Sequence, residues 1–135
     1  MKRTRYSPPY RNGRTLFPDR KQPGVYLIRI GGELRYVGHS KTDVYKTLYR
    51  HFQTWNDNSR DRERVTYTAS QHPSVRVIYT GTARRAVELE RALILKHQPR
   101  DNPDKFAAWE LDSNDRALMR EADSAAWAPL VHVPF

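Results

Sequence analysis

The chain has no cysteine among its 135 residues. Disulfides, thiolate nucleophiles and cysteine-ligated zinc are therefore excluded. It also lacks any apolar run approaching the roughly 20 residues that a membrane-spanning helix needs. The basic opening, MKRTRYSPPYRNGR, is not followed by an apolar stretch. It does not read as a signal peptide, so the expected location is the cytoplasm, nucleoid-associated in a bacterium. Acidic residues are scarce, 15 against 24 Lys and Arg, for a net charge of +9. Such a surplus favours a polyanionic partner, because neutralising phosphates releases condensed counterions. It also occurs on proteins that never meet nucleic acid. The length supports one hydrophobic core and not two, and no internal repeat is visible.

Residues 1–22 carry Pro8, Pro9, Gly13 and Pro18 among basic side chains and read as a basic arm or irregular lead-in. Gly24–Ile30 has the β-branched and aromatic content of a strand. Gly31-Gly32 signals a hairpin turn, with Leu34–Gly38 as the returning strand. Over 43–55 the period becomes helical through Val44, Leu48, His51, Phe52 and Trp55, with Asp43 or Thr42 as cap. Residues 56–70 are polar and read as a surface excursion. Val75–Tyr79 reads as a third strand, Gly81 as a turn and Thr82 as the N-cap of a helix over 83–97 that Pro99 ends. A short last helix is expected over 113–122, and the apolar C-terminal segment is expected to pack back on the body. The division is a lead-in over 1–22, a core over 23–102 and an extension over 103–135. A small antiparallel or mixed sheet covered by helices is the simplest layered solution, an α/β (α+β) fold.

Glu90 falls inside the apolar arc of its helix, beside Ala86 and Leu93 on the helical wheel. A carboxylate aimed at a sheet must be paired, protonated or bound to a cation. It is either a glutamate satisfied by a neighbour or a divalent-metal ligand. His51, on the inner face of the first helix, is either a hydrogen-bonded core residue or a catalytic base. Tyr26 and Tyr36 sit on adjacent strands, where tyrosines usually pack with the hydroxyl at an edge. Together the four suit phosphodiester hydrolysis. A tyrosine or histidine would act as general base, a carboxylate-held cation would steady the leaving oxygen, and a guanidinium would clamp the phosphate.

Gly24-Val25-Tyr26, followed ten residues later by Tyr36-Val37-Gly38, resembles the paired motif that names the GIY-YIG nucleases. His51-Phe52 and the run from Leu89 through Glu90 to Pro99, Arg100 and Asn102 are also similar to that family, including the endonuclease subunit of bacterial nucleotide excision repair and the homing endonucleases. The resemblance spans about Pro23 to Asn102. It implies a small three-stranded antiparallel sheet flanked by helices and a DNA endonuclease activity. It implies magnesium, with manganese as a substitute, on Glu90. It gives Tyr26 and Tyr36 roles in placing or activating water, His51 a functional role, and Gly38 and Asn102 structural roles near the site.

One departure stands out. The family carries a catalytic arginine four residues before the His51 position, and here that residue is Thr47. Arg50, at i+3 from Thr47, is the candidate substitute. Lys46, Arg35, Arg76, Lys96 and Arg100 are the candidate nucleic-acid contacts. The other reading is a domain of the same fold that binds nucleic acid or serves structurally with catalysis impaired. Nucleic acid, DNA by the resemblance, is the expected partner, with no membrane. Specificity is left to DNA structure, a homodimer or a separate partner.

Overall fold

The computed structural model describes residues 1–59, 64–103 and 110–131. Part of the expected excursion over 56–70, part of the C-terminal extension and the last four residues lie outside the described residues. Strand β1 is Lys2–Arg3, β2 Tyr10–Arg11, β3 Arg14–Thr15, β4 Gly24–Ile30, β5 Glu33–Ser40, β6 Ser74–Tyr79 and β7 Ala126–Trp127. Helix α1 is Val44–Tyr49, α2 Ala83–His97 and α3 Ser113–Asp123.

The three-stranded sheet expected from the sequence is corrected to five strands, in the order β5-β4-β6-β1-β7, with β2 and β3 forming a separate two-stranded ribbon. The central trio β5, β4 and β6 is antiparallel throughout. Strand β1 adds antiparallel to β6, and β7 adds parallel to β1, so the sheet is mixed. The additions have a physical reason. A bare β6 edge would present unpaired backbone groups. The Thr4 amide donates to the Val77 carbonyl at 2.8 Å, and the Thr4 hydroxyl accepts from the Val77 amide at 3.0 Å. Strands of two residues carry no periodicity, which is why the sequence pattern does not reveal them.

Side-chain alternation divides the core between the two faces of the sheet. Val25, Leu27, Val37 and Ile78 pack with Leu89, Leu93 and Leu118 of α2 and α3. Tyr26, Ile28, Val75 and Val77 pack on the opposite face with Val44, Leu48, Phe52 and Tyr67. Helix α3 is tied to α2 by Arg91, whose guanidinium donates to the fully buried Asp115 at 2.7 Å. A buried carboxylate requires such a partner. The caps are those the sequence suggests. Asp43 accepts from the Lys46 amide at 3.0 Å, and Thr82 from the Arg85 amide at 3.2 Å. Gln98 then adopts a left-handed conformation at φ 45°.

The helix expected over 43–55 is shorter. Helix α1 stops at Tyr49 and tightens into a 3-10 turn over Arg50–Phe52. The cause is competition for carbonyls. The His51 carbonyl accepts from the Tyr67 amide at 2.7 Å, and the Trp55 carbonyl from the Ala69 amide at 3.1 Å. Those groups anchor the returning segment instead of extending the helix.

Thr4 provides a test of the sheet extension. Thr4→Val preserves shape but leaves the Val77 amide without its acceptor. Unfolding in urea is expected to show a loss of about 1–3 kcal/mol, the cost of a buried unsatisfied donor.

Candidate active site

The site is built on the β4–β5 pair. Tyr26 lies opposite Gly38, and Ile28 opposite Tyr36, so the two tyrosines share the α1 face of the sheet. Gly38 is there for steric reasons. A Cβ at this position would run into the Tyr26 phenol, at both Cζ and Oη. Gly24 is equally constrained, because its Cβ would meet the Ile78 carbonyl oxygen at 2.7 Å. Both motif glycines therefore permit a close approach, and neither has a positive φ. The Tyr26 and Tyr36 rings stack at 6.2 Å, and His51 sits 4.7 Å from Tyr36.

The Tyr26 hydroxyl lies 2.7 Å from His51 Nε2, and His51 Nδ1 lies 2.7 Å from the Val65 carbonyl oxygen. A carbonyl only accepts, so Nδ1 carries the proton and a neutral ring has its lone pair on Nε2. The Tyr26 hydroxyl therefore donates to His51. Both titrations agree with that direction. Burial holds the His51 pKa below its ordinary value, favouring the neutral ring. Burial first, then Tyr36 and Glu90, pushes the Tyr26 phenol well up, with Arg50 opposing. Tyr26 is thus a protonated phenol with a ready acceptor behind it. Burial, then Glu90, also raises Tyr36.

Glu90 is on α2, on the other side of β5. Its Oε2 accepts from His39 Nδ1 at 2.6 Å. His39 follows Gly38 and has the parity of Val37, which places it on the α2 face. The sequence reading missed His39, although strand alternation pointed to it. The Glu90 side chain retains 16% exposure, and its Oε1 has no hydrogen-bond partner among the described residues. No group of three or more His, Asp or Glu side chains that could hold a metal occurs among the described residues. A cation here would have Glu90 as its single protein carboxylate. That donor set suits magnesium, a hard ion that keeps several waters.

A pocket of about 380 Å³ opens beside the tyrosines and is lined by Tyr26, Tyr36, Thr47, Arg50, His51 and Arg64. Arg50 and Thr47 therefore face the same space. The Thr47 hydroxyl is turned back onto its own helix, donating to the Asp43 carbonyl at 3.2 Å. Lys46 lines an adjoining recess with Arg50 and Tyr49. Asn102 mimics a neighbouring strand at the β5 edge. Its Oδ1 accepts from the Val37 amide and its Nδ2 donates to the Val37 carbonyl, each at 2.8 Å. Arg35 is held by Asp101 at 3.0 and 3.3 Å, and Asp101 also accepts from Tyr67 at 2.8 Å. Arg100 pairs with Glu33 at 2.7 Å. Arg76 and Lys96 lie on the α2 side, away from the tyrosines.

Gly38→Ala is expected to displace Tyr26, break its bond to His51 and cost about 1–3 kcal/mol through overpacking. Denaturant unfolding gives the cost, and loss of the low-field His51 ring signal in NMR reports the broken bond. A second expectation concerns acid. His51, and His97 likewise, bind protons less readily when folded than at the unfolded value of about 6.5. Their contribution to stability is present above that value and is lost as pH falls through their lower folded pKa values. Thermal melting is expected to hold steady near neutrality and to drop below about pH 6.5, less steeply for His51→Gln.

A family model described as the UvrC-like GIY-YIG domain matches residues 22–103. UvrABC system protein C of Thermosipho africanus is 32% identical over 82 residues, 61% of this chain and 14% of that protein. Its counterpart in Geobacter metallireducens is 34% identical over 85 residues, 62% of this chain and 13% of that protein. This chain therefore corresponds to a small part of those relatives. A solved structure, the GIY-YIG N-terminal endonuclease domain of UvrC from Thermotoga maritima bound to its catalytic divalent cation, magnesium, is similar at 25% identity with a TM-score of 0.49, over 63% of this chain and 88% of that one. The match from Gln22 to Pro103 takes in the tyrosine pair, His51, Glu90 and the Asn102 brace, and the chain belongs to the UvrC-like GIY-YIG family.

Proposed function

We propose that this chain is a magnesium-dependent endonuclease that hydrolyses phosphodiester bonds in DNA, with Tyr26, Tyr36, His51, Glu90 and Arg50 at its centre. The observation that carries this reading is the hydrogen-bonded chain from Tyr26 through His51 Nε2 and Nδ1 to the Val65 carbonyl. A tyrosine whose pKa is raised cannot wait as a phenolate. It can take a proton from water only while passing its own to a neutral histidine. His51 is that acceptor, and Val65 holds the ring in the tautomer required. Tyr36, stacked on Tyr26 and lining the same pocket, helps place the water. Arg50, in the same pocket, supplies positive charge to the phosphate from a position one turn beyond Thr47. Magnesium, held by Glu90 through one carboxylate and its own waters, would supply a Lewis acid for the leaving oxygen. The net charge of +9 favours the polyanionic substrate.

Thr47 favours a second reading, a domain that binds DNA without cutting it. Its hydroxyl is engaged by the helix backbone, and its side chain brings no charge to the pocket.

The two readings part on one experiment, in which supercoiled and branched DNA are incubated with the purified chain with and without magnesium. The first reading expects metal-dependent nicking that Tyr26→Phe reduces by about 10²–10⁴-fold, the range for a lost acid–base contribution, and that Glu90→Gln, which weakens the hold on magnesium, also reduces. It also expects Thr47→Arg to speed the reaction. Tight DNA binding with no nicking by wild type or by Thr47→Arg would leave the second reading in its place.

A further inference from the structure

The opposite face of the sheet carries a separate cluster of positive charge. Arg29 on β4 and Arg76 on β6 are diagonal neighbours on the α2 side, since Leu27 pairs with Arg76 and Arg29 with Ser74. Both guanidiniums lie against one ring, Tyr6, at 4.3 and 4.7 Å from its centroid. Lys96 and His97 approach from the last turn of α2, and the five groups line one cavity of about 570 Å³ floored by Leu27, Ile78 and Leu93. Asp123 is the one acidic residue among the described residues on its wall. Arg76 is fixed by donating to the Thr4 carbonyl at 3.2 Å. Arg29 and Lys96 have no carboxylate within salt-bridge distance among the described residues.

The local field registers on His97. Burial lowers its pKa, and Lys96 and then Arg29 lower it further against the opposing pull of Asp123. Three permanent cations facing one carboxylate repel each other, and a polyvalent anion between them relieves that cost. The Tyr6 ring holds the two guanidiniums side by side through its negative faces. Burial keeps the Tyr6 hydroxyl protonated, so it offers a further donor. The cavity volume lies within the usual range for ligand sites. Tyr6 and Asp123 come from outside the stretch that matches the family, so the pocket combines the common core with this chain's own additions.

We propose that the cavity bounded by Tyr6, Arg29, Arg76, Lys96 and His97 is a second phosphate-binding site, separate from the tyrosine centre by the thickness of the sheet. Its ligand is a phosphate group, carried either by a DNA strand or by a free nucleotide. The DNA source rests on the proposed function, whereas the phosphate chemistry does not.

The test begins with inorganic pyrophosphate and the full chain, followed by NMR titration of the His97 ring. Binding is expected to raise the His97 pKa and to shift the Tyr6 signals, both effects being lost in Arg29→Gln/Lys96→Gln and kept in Arg50→Gln. The double variant removes one half-buried and one exposed cation, and Lys96→Gln alone, at the exposed position, guards against a folding defect. Duplex DNA binding then identifies the source. A tenfold loss of affinity with a salt dependence shallower by about two counterions in the double variant assigns the site to the DNA backbone. Unchanged DNA affinity with lost pyrophosphate binding assigns it to a free phosphorylated ligand. No response of His97 in wild type, or the same response in the double variant, overturns the proposal whether or not the chain cuts DNA.

Discussion

The placement of the Tyr26 ring over a residue with no side chain governs the arrangement of this domain. The phenol occupies the space that a Cβ on Gly38 would take. From there its hydroxyl reaches His51, and the imidazole is locked by a carbonyl on the far side. Each partner comes from a different part of the chain: a strand, its hairpin neighbour, the turn after α1 and the segment leading to Tyr67. The site thus forms only when these four have assembled. Its precision derives from backbone geometry more than from the side chains that face solvent. Several separate segments thereby fix the positions of these side chains in a small domain of marginal stability.

The two faces of the sheet divide the labour. The α1 face gathers aromatic rings around a buried hydrogen-bonded chain, and the α2 face carries aliphatic packing and the carboxylate of Glu90. Glu90 influences both tyrosines across β5. A carboxylate beside two phenols opposes their ionisation, and Arg50 opposes that effect on Tyr26. In the proposed reaction, loss of the Tyr26 proton would therefore rely on His51 and on nearby positive charge.

Much of this was legible in the sequence, for physical reasons. The central strands announced themselves through β-branched runs and a Gly-Gly turn. Helix α2 announced itself through a clean period between a threonine cap and a proline. Glu90 stood out because its position on the wheel conflicts with its charge. Legibility ended where contacts replace periodicity. Nothing in Lys2–Arg3 or Ala126–Trp127 distinguishes a strand from a tail, because their structure comes from the β6 edge they complete. Nor does the polar segment around Val65 show that one of its carbonyls orients His51. The shortened α1 is a similar case, since carbonyls just beyond it, on His51 and Trp55, are claimed by residues more than a dozen positions away. His39 lay between these extremes. Its strand parity placed it opposite α2, but only the assembled sheet shows which α2 residue it meets.

The false strand at the β5 edge has a consequence for how copies of this protein meet. Asn102 satisfies both backbone groups of Val37, and the Asp101 amide satisfies the Arg35 carbonyl. An edge plugged at its middle in this way is a poor template for another chain to add as a sixth strand. At the far margin β7 is only two residues long and is a poor start for strand addition. Growth of the sheet is therefore disfavoured on the side that carries the candidate site. Continuous edge-to-edge assembly, the usual route from small β-containing domains to fibrils, is hindered there by a single amide side chain and the loop that presents it.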